Sequence, residues 1–191
     1  MHPALAIFLL ALPMAAAALT PSPYAGQETR GIKALSAQER ADLLAGKGMG
    51  LAKAAELNGY PGPAHVLELA KELSLSAQQR DQTAALFQSM EAKAKALGQQ
   101  IVDAEAGLDK LFASKQVTAP LLEEALGKIA SLQAKLRATH LEAHLAQVRI
   151  LSPGQSVHYA VLRGYVASEP VGQGPAAGPH GGHAHGHQHR H

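Results

Sequence analysis

A chain of 191 residues with 47% hydrophobic content has the length of one domain and enough apolar material to bury a core. The absence of cysteine rules out disulfides, thiolate metal sites and thiol nucleophiles, and a net charge of +2 with histidine neutral is too balanced to argue for nucleic acid. Aromatic residues make up only 4% and tryptophan is absent, so alanine and leucine must build thin aliphatic layers, as helices do; the eleven histidines are the anomaly.

Residues 4–19, ALAIFLLALPMAAAAL, form an apolar run of signal-peptide length followed by small residues that allow cleavage near Ala16 to Ala18. Residues 1–18 are therefore expected to be a signal peptide and the protein to be exported to the periplasm. Nothing before Arg30 is basic except the amino terminus and His2. The alternative is a retained N-terminal anchor, but a run interrupted by Pro13 falls short of the roughly 20 residues a spanning helix needs. Residues 19–34, with Pro, Gly and Ser, read as a mobile lead.

A helical domain is expected over 35–167. It opens on LSAQE at Leu35 to Glu39, where Ser36 and Glu39 have capping-box spacing for a short helix to Leu44. The glycines of GKGMG (Gly46, Gly48, Gly50) end that helix; they lack the spacing and the trailing Ser or Thr of a phosphate loop. Residues 51–57 continue as helix to the turn signal Asn58-Gly59, and Tyr60-Pro61-Gly62-Pro63 forces an extended corner. Pro63 can serve as N1 of a helix through Leu73.

LSAQQ at Leu75 to Gln79 starts the longest periodic stretch. Leu86, Met90, Leu97, Ile101, Leu108 and Leu111 share one face, a buried seam. Gly98 and Gly107 each cost about 1 kcal/mol of helix propensity relative to alanine. SKQVTAP at 114–120 breaks the pattern, with Thr118 as cap and Pro120 just inside the next helix, which runs to Arg149. Its stripe is Leu122, Leu126, Ile129 and Leu136, and continuing it puts His140 and His144 on the same face. LSPGQ at Leu151 to Gln155 repeats the capping signal and opens a last helix from Ser152 to about Val166. Residues 168–191 are a low-complexity, His-rich tail that cannot bury anything and is expected to be disordered.

The expected fold is thus all-α, a hooked antiparallel helical hairpin of about four to five helices with disordered termini. A hairpin of thin, Ala-rich helices has little core of its own, so a homodimer is expected.

Leu-Ser-x-x-Gln written twice around an amphipathic hairpin, behind a signal peptide and without cysteine, resembles the LTxxQ group of periplasmic proteins. These are the Spy/CpxP-like chaperones, the zinc-resistance-associated proteins and the CnrX-type heavy-metal sensors. The resemblance covers roughly residues 35–166, and the stretch AELNGYPGPAHVLELA is also similar to one found in exported metal-resistance proteins. It implies a dimeric curved cradle induced by metal or envelope stress, acting on unfolded client proteins or on a membrane sensor or anti-sigma partner. The helices here are not strongly basic, unlike the client-binding face of the chaperone branch.

Chemistry resides in the histidines. His180, His183, His185, His187, His189 and His191 lie in the tail, where glycine spacers let two or three rings meet one Zn, Cu or Ni ion. His140 and His144, four apart, can ligate one ion from a single helical face, although HLEAHL lacks the H-E-x-x-H order of a metalloprotease. An antiparallel hairpin turning near Gln116 brings them level with Met90 and Glu91, a cage suited to copper or nickel. The resemblance to CnrX-like sensors, which combine His-x-x-x-His with Glu and Met, implies the same. Interior histidines satisfied by backbone or water are the competing reading. His65 is a further candidate ligand and Met49 a soft one. No nucleophile elbow or close acidic pair supports an enzyme. The expected function is a periplasmic transition-metal-binding stress or resistance protein; the alternatives are a metal-independent chaperone and a membrane-anchored heavy-metal sensor.

Overall fold

The computed structural model describes residues 20–166, all-α with no strand among them. The signal-like segment 1–18 and the six tail histidines lie outside the described residues. The helices are α1 (Ala37–Leu44), α2 (Lys53–Glu56), α3 (Pro63–Glu68), α4 (Ala77–Ala113), α5 (Ala119–Ile150) and α6 (Pro153–Leu162). Among the described residues no helix is long and apolar enough to cross a membrane.

The long helices α4 and α5 form the hairpin, α1 crosses α4, and α2, α3 and α6 gather at the open end. All three predicted capping boxes are present, at Ser36 with Glu39, Ser76 with Gln79, and Ser152 with Gln155. In each, the serine oxygen takes the N3 backbone N–H and the N3 side chain takes that of the cap. Thr118 caps α5, its Oγ1 accepting from the Leu121 N–H.

Several boundaries and faces differ from expectation for physical reasons. The helix starting at Pro63 ends at Glu68, well before Leu73. Turns through Ser74, at φ 50°, let both Leu73 and Leu75 enter a small core with Val66, Leu151 and Tyr159. The last helix stops at Leu162, with Gly164 at positive φ. Leu126 is 49% exposed. The α5 seam runs through Ile129, Leu132 and Leu136, which meet Ala94, Ile101, Val102, Ala104 and Leu43 in the main core. Ile32 joins that core and Lys33 pairs with Asp109 at 3.3 Å, so the lead is tied down at its C-terminal end.

Gly98 is a contact surface rather than merely a weak helix former. A Cβ there would overlap the Leu43 carbonyl, so glycine is what lets the end of α1 lie directly on the α4 backbone. The glycine loop that follows α1 is thereby placed against the hairpin.

The repeated Leu-Ser-x-x-Gln is explained by what its glutamines do beyond capping. Gln79 Nε2 donates to Gln155 Oε1 at 2.8 Å and to the Ile150 carbonyl at 2.9 Å. Gln155 Nε2 donates to Gln79 Oε1 at 3.1 Å and to the Leu73 carbonyl at 3.1 Å. Each amide also accepts its own cap's N–H. Two helix starts 76 residues apart are joined by a reciprocal, fully satisfied pair.

Candidate functional site

The α5 seam changes character beyond Leu136. His140, His144 and Gln147 follow one another on the buried face, with exposures of 4%, 8% and 0%. Gln147 Nε2 donates to Thr83 Oγ1 at 3.1 Å, and this bond fixes the antiparallel register. Seven residues along each helix from that pair, His140 comes level with Met90.

At that level the 45–50 loop, α2 and the start of α3 stand off the hairpin and leave a cavity of about 450 Å³. Its walls are Phe87, Met90 and Glu91 of α4, His140 and His144 of α5, the 45–50 loop, Lys53 and Glu56 of α2, and residues 62–65. The structure therefore brings His140, His144, Met90, His65, Met49 and Glu91 to one cavity. Whether they hold an ion is a matter of donor geometry.

His144 is oriented from behind: Nδ1 lies 2.7 Å from the Tyr60 carbonyl, which makes Nδ1 the protonated nitrogen and leaves Nε2 as a lone-pair donor. A Cβ on Gly62 would sit 2.9 Å from His144 Cε1 and 3.1 Å from Nε2, so only glycine keeps that edge of the ring clear. His140 packs beside Gly48, and its Nε2 is buried without a hydrogen-bond partner. Burial, and then the neighbouring His144, hold the His140 pKa below that of a free histidine, which favours the neutral form.

Glu56 went unnoticed in the sequence. Its Oε1 accepts from the Tyr159 hydroxyl and, at 2.9 Å, from the Tyr165 hydroxyl. Arg163 Nε is 3.7 Å away. Oε2 is buried with no hydrogen bond and lies 3.6 Å from His144 Nδ1. Burial, followed by the hydrogen bond to Glu56, pushes the Tyr159 phenol far above its ordinary pKa, so it acts here as a permanent donor. The hub locks α6 onto α2 and supplies negative charge behind His144. No local signal marks it, because its partners lie 103 and 109 residues away.

His65 belongs to this hub as much as to the cavity. Its Nδ1 faces Glu56 Oε1 at 3.5 Å and the Tyr159 hydroxyl at 3.3 Å. Glu91 pairs with Lys95 at 3.2 Å. Among the described residues no three His, Asp or Glu side chains converge closely enough to hold an ion by themselves.

No family model matches the chain, and comparison with curated proteins and with solved structures finds no match either.

Proposed function

We propose that this protein binds a transition-metal ion in the cavity between hook and hairpin, as an exported metal-stress or metal-resistance protein of the kind its paired Leu-Ser-x-x-Gln motifs resemble. The observation that carries the reading is the pair His140 and His144: two buried imidazoles one helical turn apart on one cavity wall, His140 with its Nε2 buried and unpaired and His144 with its Nδ1 held by the Tyr60 carbonyl. Buried polar atoms without partners are rare in folded proteins, and a cavity beside them supports a ligand as the missing partner. The fit has further support: Tyr60 orients His144 as an outer-sphere acceptor orients a ligand, and Gly62 leaves room at Nε2. His140 and His144 would hold the ion, and imidazole suits Zn, Cu and Ni alike. The tail histidines would add weaker capture sites.

The test is calorimetric titration of the full chain with Zn, Cu and Ni beside a variant carrying His140→Ala and His144→Ala. The parent should show one tight equivalent that the variant lacks. Identical isotherms would remove the cavity site.

A second reading, a metal-independent chaperone, is favoured by the apolar side chains near the hairpin tip, where Phe112, Leu121 and Leu126 are 50%, 40% and 49% exposed. Suppression of client aggregation that persists in chelator would support it.

A further inference from the structure

Resting on the metal-binding reading above, we infer that the cavity is built for a soft monovalent cation, Cu(I) or its redox-inert counterpart Ag(I), with the thioethers of Met90 and Met49 completing the two imidazoles.

Three observations lead there. Of the carboxylates on the wall, Glu56 gives Oε1 to two phenols and Glu91 pairs with Lys95, which leaves Glu56 Oε2 as a single buried carboxylate oxygen without a hydrogen bond. Among the described residues no all-His/Asp/Glu set of three is close enough to enclose an ion, so the imidazole pair has to be completed by another donor type. Both methionines of the described residues line this one cavity, although nothing in helix or turn formation requires that. Thioether sulfur is a soft, uncharged ligand, and Cu(I) is among the ions that soft sulfur selects. The surroundings agree with low net charge and low hydration, since Phe87, Ala45, Ala52, Ala64 and Pro63 make much of the wall and its charged residues balance, with Lys47 paired to Asp42 and Glu91 to Lys95.

Met49 is the informative member. It stands between Gly48 and Gly50 with φ 43°, a left-handed backbone that ordinary side chains avoid, and it is 44% exposed. A large apolar residue held in that conformation and half in water does little for folding; strain of this kind collects at functional positions. The loop presents the thioether at the cavity, where an arriving ion can draw it inward.

The experiment uses the full chain with the six tail histidines replaced by alanine and with 13C-methyl methionine, titrated separately with Ag(I), with Cu(I) under anaerobic conditions, and with Zn(II). Ag(I) and Cu(I) should bind at one equivalent and shift the methyl resonances of both Met49 and Met90. Met49→Leu and Met90→Leu, which keep side-chain volume, should each weaken Ag(I) binding by about tenfold or more, comparable to losing an outer partner of a metal site, and leave Zn(II) binding unchanged. Zn(II) binding that depends on His140 and His144, with unmoved methyl groups and no loss in the leucine variants, would overturn the inference and leave the broader reading standing. Absence of any binding sensitive to His140→Ala and His144→Ala would overturn both.

Discussion

Gln79 and Gln155, 76 residues apart, each donate to and accept from the other while each also accepts the backbone N–H of its own cap serine. This double use explains a difference among the three capping boxes. The first has glutamate at N3, Glu39, which only caps and faces solvent. The other two need an amide because a carboxylate cannot donate to the Ile150 and Leu73 carbonyls. Gln79→Glu or Gln155→Glu should preserve the cap yet cost about 2–4 kcal/mol through stranded acceptors. Glu39→Gln should stay within about 0.5 kcal/mol. Urea unfolding of the three variants checks this, and a double-mutant cycle on the glutamines should be strongly non-additive.

Gly98→Ala should destabilise by roughly 3 kcal/mol, far beyond its gain in helix propensity, because the new methyl group meets the Leu43 carbonyl and α1 must lift away. Gly107→Ala, where a Cβ meets nothing within 4 Å, should stabilise slightly. Thermal denaturation of the pair separates close packing from propensity.

Glu56→Ala should cost about 2–4 kcal/mol, since it leaves the buried Tyr159 hydroxyl without its acceptor and also frees Tyr165. Glu56→Gln keeps an acceptor oxygen and should cost less. Hydrogen exchange should report the loss first in α6, whose docking depends on this carboxylate.

The metal-free protein should lose stability on mild acidification. The His140 pKa is depressed in the folded state, so between that value and the unfolded 6.5 the unfolded chain binds more protons. Its contribution is intact above 6.5 and falls as pH drops through 6.5 toward the depressed value. Unfolding free energies at pH 8, 6.5 and 5 should slope less steeply in His140→Gln than in the parent.

Gly62→Ala should impair metal binding with little change in fold. Its backbone conformation, φ −86° and ψ 140°, is open to alanine, but the Cβ would press on the Cε1 and Nε2 edge of His144. Titration should show roughly tenfold weaker binding, against an unchanged melting profile in chelator.

The hairpin was legible because its signals are local. Capping boxes announce helix starts, SKQVTAP announces the turn, and the stripe carried forward from Leu136 reached His140 and His144. Antiparallel counting then placed Met90 opposite them, as the Gln147–Thr83 bond now fixes it. Leu126 misled because a stripe read over few turns tolerates a residue near the edge of the face; it projects to solvent. Glu56 was invisible for the opposite reason: a carboxylate on a four-residue helix has no local pattern, and its meaning comes from two tyrosines more than a hundred positions on. Gly62 and Gly98 read as a turn residue and a weak helix former, whereas each serves by the space it leaves for a distant group.

The amide pair at the open end carries no formal charge, so neither protons nor dissolved salt should loosen it. The imidazole wall a few turns away carries, in His140, a ring whose charge burial opposes. That end of the rods is thereby a fixed pivot, and any adjustment that follows acid falls to the glycine loop that faces the His140 ring, while the two rods keep their separation.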